Sequence, residues 1–233
     1  MSHYAVAVFH RENQDIDELL APYDENLRGE RYVRYTKAEA IAYVRANWNE
    51  TDNMSDEECW QAMADDYDNN TDDDGNIYTT YNPDAKWDWW VIGGRFSDLL
   101  TLKKGGLTDS AQVKDLDFSP DKEAYQRALR FWDIIVDHKP LEEGEEKPFN
   151  LYKESYYCEY YGDRETYARY YAQFSTYAVV TPDGKWHGKG EMGWFACSSE
   201  TADEAKDWEE HYKERFIDAA DSEWYLTIVD CHI

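Results

Sequence analysis

Two apolar runs stand at opposite ends of this chain. Tyr4 to Phe9 (YAVAVF) opens it and Trp224 to Cys231 (WYLTIVDC) closes it, and both read as strands. Between them the clearest signals are helical. Thr36-Lys37-Ala38-Glu39, Ser55-Asp56-Glu57-Glu58 and Thr201-Ala202-Asp203-Glu204 each place a hydroxyl three residues before a Glu. This is the capping box, in which hydroxyl and carboxylate satisfy each other's backbone amides. Strands at both ends with helices between them predict an α+β fold. Its sheet is antiparallel or mixed, includes the N- and C-terminal strands, and packs with several capped amphipathic helices.

Periodicity fills in the rest. Ile41, Val44, Arg45 and Trp48 predict a helix over 37–48, and Trp60, Met63 and Tyr67 share one face of the next. Ser119-Pro120 opens another, with Ser as cap, Pro in the first turn, and Tyr125, Leu129, Trp132 and Val136 as its buried stripe. Tyr-rich sequence from about 153 to 173 breaks at Gly162-Asp163 into two helices. The last helix buries Ala205, Trp208, Tyr212, Phe216 and Ala219. Strands are expected at Trp87 to Ile92, stopped by Gly93-Gly94, at Thr176 to Val180, and through Trp194 to Cys197 after the turn Pro182-Asp183-Gly184. One domain over 1–233 accommodates these elements, with two lobes, 1–140 and 149–233, if the acidic connection 141–148 separates them. Ser2 to Val6 echoes in Ser175 to Val179, and Pro83 to Trp87 in Pro182 to Trp186. Either a duplicated strand–hairpin unit or chance recurrence of turn residues leaves that pattern.

Charge narrows the function. The chain has 24 Lys+Arg against 50 Asp+Glu in 233 residues, a net −26. Such a surface excludes non-specific capture of a nucleic-acid backbone, which needs a basic face. It can draw in a basic partner, or imitate the phosphates that partner expects; it can also simply keep the protein soluble. Ten Trp and twenty Tyr supply packing and interface anchors and argue against disorder. The N-terminal MSHYAVAVFHREN has no secretory leader and no window suits a membrane span, so the expected location is cytoplasmic. Cys59, Cys158, Cys197 and Cys231 form no CxxC pair, which fits reduced thiols.

Four segments could carry chemistry, each with a plainer reading beside it. Trp87-Asp88-Trp89-Trp90-Val91-Ile92-Gly93-Gly94-Arg95 could form an aromatic pocket with an arginine anion clamp. Strand alternation would put Trp87 and Trp89 on one face, Asp88 and Trp90 on the other. The plainer reading is a core strand whose Arg95 meets a neighbouring acid. Trp186-His187-Gly188 with Trp194 nearby would leave an imidazole accessible as base or ligand, or be an ordinary Gly-rich hairpin. Asp230 and His232 share a face, so a carboxylate could orient the imidazole; terminal polar residues also simply face water. If the end strands pair, His10 could approach His232, though no HxH or HExxH spacing supports a metal site. The loop Asn70 to Ile77 follows the start of a calcium loop, but Tyr81 stands where the bidentate acid is required. No nucleotide-binding or nucleophile-elbow signature is present, no cofactor is implied, and the expectation of an enzyme falls accordingly.

At these segments the sequence resembles a family of uncharacterised proteins of bacteriophages and prophage-bearing bacteria. The resemblance rests on Tyr81-Asn82-Pro83 with Lys86-Trp87-Asp88-Trp89 and Ile92-Gly93-Gly94-Arg95, on Thr181 to Gly184 with Trp186-His187, on Met192-Gly193-Trp194, and on Asp230-Cys231-His232. Leu20 to Asn26 belongs to it as well. It implies a viral accessory context and assigns no reaction. The leading expectation is therefore an acidic accessory protein that acts by binding, such as a counter-defence inhibitor of a basic host protein that handles nucleic acid or serves defence. The alternative is a nucleotide or anion sponge or enzyme. Its ligand-binding candidates are Trp87, Trp89, Arg95, Trp186 and Trp194, and its acid–base candidates His187, Asp88, Asp230 and His232.

Overall fold

The computed structural model describes residues 2–193 and 197–233. Strand β1 (His3–His10) and the last strand, β10 (Tyr225–His232), pair antiparallel over their whole length, from His3 opposite His232 to His10 opposite Tyr225. Every residue of both strands except the first is buried. These two apolar strands form the centre of a mixed sheet. On the far side of β1 lies β8 (Ala178–Val180), parallel to it, and then β9 (Trp186–Gly188), antiparallel to β8. The free edge of β10 is shared by β4 (Trp89–Ile92) towards its end and β7 (Ser110–Gln112) towards its start. The chain is α+β, and its two terminal strands are sheet neighbours. The two copies of the repeated Tyr-Ala-Val string lie side by side, as β1 and β8.

By its contacts the chain divides into residues 1–21 with 86–233, and residues 22–85. The larger unit holds the sheet, the short helix α1 (Ile16–Leu20), and the small hairpin of β5 (Leu100–Thr101) and β6 (Leu107–Thr108). It also holds α4 (Lys122–Ile135), α5 (Glu154–Tyr161), α6 (Arg164–Ala172) and α7 (Ala202–Tyr212). One face of the sheet (Ala7, Phe9, Leu226, Ile228) packs on Trp208, Tyr212 and Phe216 along α7 and its continuation. The opposite face, with Val6, Val8, Val229 and Cys231, is buried too. Helices α4, α5 and α6 form their own cluster around Leu129, Trp132, Tyr157 and Tyr167.

The smaller unit packs α2 (Lys37–Asn47) and α3 (Asp56–Asp66) around Ala40, Val44, Cys59 and Met63, beside the antiparallel pair of β2 (Arg28–Tyr35) and β3 (Ile77–Tyr81). All three capping boxes form as the spacing predicts, at Thr36/Glu39, Ser55/Glu58 and Thr201/Glu204. Helix α4 differs. Its cap is Asp121, which accepts from the amides of Glu123 and Ala124, and Ser119 stays outside because the following proline disfavours helical backbone there. Glycine 162 ends α5 at φ +77° and Asp163 caps α6, so the break falls where the sequence places it. The expected strand at Trp194 to Cys197 falls largely outside the described residues.

Residues 141–148, read as a connection between lobes, lie inside the larger unit. Glu145 binds Arg130 through both carboxylate oxygens and also accepts from the Glu142 amide. The Arg130 hydrogen bonds, reinforced by that amide, hold the Glu145 carboxyl down at about 2 against an ordinary 4.5. A depressed carboxylate stabilises the fold above its unfolded value and loses that contribution as pH falls through the folded one. Acid should therefore loosen 141–148 between about pH 4.5 and 2, read as faster amide exchange there, and Arg130→Gln should move the loosening up to the ordinary carboxylate range. In the sheet core, Ile228→Ala should cost about 2–5 kcal/mol in urea unfolding, and a smaller loss would mean the site collapses around the deletion.

Candidate functional site

Antiparallel pairing of the terminal strands fixes which polar groups meet. His3 lies opposite His232, and His232 lies opposite Trp89 on β4. Directly paired residues share a face, so three rings stand in a row across three strands. Trp89 stacks on His232 at 5.0 Å between centroids and 15° between planes. His3 meets His232 edge-on at 4.9 Å.

Each imidazole is held by a carboxylate. His3 Nδ1 lies 2.8 Å from Asp230 Oδ1, and His232 Nδ1 lies 2.6 Å from Asp88 Oδ1. An ionised carboxylate can only accept, so each Nδ1 carries the proton and each Nε2 is left as the basic nitrogen. Among the described residues neither Nε2 has a hydrogen-bond partner, and no buried side-chain nitrogen or oxygen is left unsatisfied. Both Nε2 atoms therefore reach solvent.

Asp230 is the buried member, with 1% of its surface exposed. Its second oxygen accepts from the backbone N–H of Arg95 at 2.9 Å. That bond explains the glycine before it. Gly94 has φ +56°, and a Cβ there would come within 2.6 Å of both the Asp230 Cβ and its carboxylate. The backbone's close approach is thus to Asp230. The Arg95 guanidinium is exposed and makes no ion pair among the described residues. Cys231 faces the other way into the core, where burial, with the Asp230 charge second, pushes its thiol far above the ordinary value, so it is no nucleophile.

The candidate residues thus divide. Asp88, Trp89, Asp230, His232 and the Arg95 backbone converge. Trp87 does not line this surface: it is buried and its indole donates to the Leu20 carbonyl at 3.2 Å. Alternation fails at Asp88 because β4 begins at Trp89; Asp88 sits in a bend, with its amide on the His232 carbonyl at 2.9 Å. His187 lies opposite Val179 in the β8–β9 hairpin, with its ring 5.4 Å from Phe216, away from this cluster. Trp186 turns to the other face, towards Tyr4. Trp194 lies outside the described residues. His10 does not approach His232, since the register puts it at the far end of β1, stacked on Tyr225 and bonded to Thr227. His3 takes that place, and only the pairing register could have identified it.

The loop at 70–77 uses its own acid internally. Asp72 accepts from the amides of Asp74 and Asn76, the Asn76 side chain and the Tyr78 hydroxyl. Among the described residues no group of three His, Cys, Asp or Glu could hold a metal ion, and no helix is long and apolar enough to cross a membrane. Compared with known protein families, curated proteins and solved structures, the chain matches none.

The row of rings has a spectroscopic signature. Imidazole nitrogen shifts at about pH 8 should show His3 and His232 protonated at Nδ1, and the Nε2 tautomer in either would mean that its carboxylate does not hold it. Gly94→Ala should cost about 1–3 kcal/mol in urea unfolding, because the new Cβ must displace the Asp230 side chain and alanine is strained at the φ of residue 94.

Proposed function

We propose that the protein acts by binding, as an acidic accessory factor of the phage type that occupies a basic partner. The observation that supports this most directly is how charge is distributed. Residues 46–85 contain twelve Asp and Glu and no Lys, Arg or His. In the unit 22–85 the five cations lie elsewhere and are engaged. Lys37 pairs with Glu57 and Arg45 with Asp56, while Arg28, Arg31 and Arg34 lie against tyrosine rings. Asp66, Asp68, Asp73 and Asp74 are exposed and left to act on what approaches from solvent. A long anionic surface of this kind raises the encounter rate with a cationic protein and can stand where phosphates would. The fitting partner is a basic host protein that handles nucleic acid or serves in defence, and inhibition follows from occupancy.

A second reading takes a small anion at the row of rings. It is favoured by Trp89, which is 43% exposed, and by the exposed Arg95 side chain, which makes no ion pair among the described residues. There a basic Nε2 could accept a proton from the bound ligand.

Affinity purification from host lysate at about 0.05 M and about 0.5 M salt separates the two. A basic protein retained at low salt, released at high salt, and lost with the combined Asp66→Asn, Asp73→Asn and Asp74→Asn variant supports the first reading. Salt-insensitive retention contradicts it. A retained nucleotide that disappears with Trp89→Ala or Arg95→Ala supports the second.

A further inference from the structure

One local exception to the chain's acidity is a cavity of about 350 Å³ beside the β8–β9 hairpin. Phe9, Phe216 and Trp224 give it an aromatic lining, and Arg11, Lys185 and Arg215 bring three cations to it. His187 completes the wall, and Asp183 is the one lining carboxylate. In a chain with about two acids for every base, three cations beside aromatic rings are a local reversal of charge.

The surrounding bonds hold these groups in place. The Asp183 charge is already answered: Lys185 pairs with it at 2.7 Å and the Thr181 hydroxyl donates to it at 2.6 Å. Lys185 foremost, then Thr181, keeps that carboxyl well below the ordinary range, so it stays ionised and paired. Arg215 spends one nitrogen on Asp207 at 2.7 Å. Arg11 is exposed and has no ion pair among the described residues. Its backbone is pinned by Gln14, whose side chain accepts from the Arg11 amide and donates to the Pro182 carbonyl, tying the end of β1 to the hairpin turn. Burial pushes His187 down from its ordinary value, with the Asp183 charge opposing, which favours the neutral ring as a hydrogen-bonding wall.

The backbone gives a second, independent pointer. Helix α7 continues into a π turn over Lys213–Ile217, and Arg215 and Phe216, both cavity residues, belong to that turn. The π form is rare, and single π turns recur where a helix serves a site.

We propose that this cavity binds a small aromatic anion, its ring against Phe216 and Trp224 and its phosphate or carboxylate on Arg11. The volume lies at the lower end for small-molecule sites and suits one ring system with one anionic group. Guanidinium is the side chain best matched to either oxyanion, and Arg11 is the lining guanidinium that makes no ion pair among the described residues. This site is separate from the acidic surface and from the row of rings, so it stands or falls independently of both readings above.

Titration calorimetry and amide chemical shifts on the whole chain test it, with adenosine monophosphate and indoleacetate as probes and adenosine and inorganic phosphate as controls. At least one probe should bind more tightly than either control and shift amides at 9–11, 181–187 and 215–217. Phenyl phosphate and phenylacetate, which share one ring, distinguish phosphate from carboxylate as the anionic group. Arg11→Ala should weaken binding by about tenfold or more, the loss of one charge-assisted contact, with Lys185→Ala as a second exposed variant that also weakens it. Trp89→Ala, Arg95→Ala and the Asp66/Asp73/Asp74 variant should leave it unchanged. Failure of both probes to bind at millimolar concentration overturns the proposal. So does binding that survives Arg11→Glu, or shifts that map to Trp89 instead.

Discussion

The antiparallel pairing of β1 with β10 is the contact on which the rest of the structure depends. It joins the two ends of the chain, down to the reciprocal backbone bonds between Ser2 and Ile233. It also supplies the sheet with its two central strands, buried at every residue but the first. Every other strand of that sheet docks on one of them or on a strand that does. The pairing register, not local sequence, decides which polar residues become neighbours. One end of the pair receives His3, His232 and Asp230. The other end receives His10, Tyr225 and Thr227, and the chain then turns through Arg11 towards the cationic cavity.

Polar groups at the first end are held in a strict order of burial. Asp230 is inside and satisfied twice, by His3 and by the Arg95 amide; the imidazoles are at the boundary; Trp89 is outermost. A buried carboxylate is tolerable only with such partners, and each partner fixes something in turn. The amide bond requires the turn at Gly93-Gly94. The imidazole bond fixes the tautomer of His3. The Gly-Gly-Arg string, which invites reading as a ligand cradle, is thus first a cradle for an internal aspartate, and only the Arg95 guanidinium remains for anything outside.

Much of the fold was legible because its signals are local. Capping boxes need four residues, and the stripe Ala205, Trp208, Tyr212, Phe216 needs only helical period. Strand β2 was not legible: its residues (RGERYVRY) are mostly exposed, so no alternation marks it. The start of α4 was misplaced by two residues because Asp121 competes with Ser119 as a cap. For the site, the closing Asp230 and His232 were visible from alternation alone, but His3 and Asp88 depend on pairing register and on a bend. Trp87 carries the same residue type as Trp89 and a different fate, and nothing local distinguishes a buried indole from an exposed one. Arg11, Lys185, His187 and Arg215 lie too far apart in sequence to be read as one cavity, and a π turn has no sequence mark comparable to a cap.

Native-state amide hydrogen exchange tests the dependence on the terminal pair most directly. Amides of residues 4–9 and 226–231 should be the slowest in the chain and should exchange only through global unfolding, together, with the same denaturant dependence. Exchange of either strand through a smaller opening, or at rates no slower than those of α3 and α5, would contradict the account by showing that the sheet is organised elsewhere.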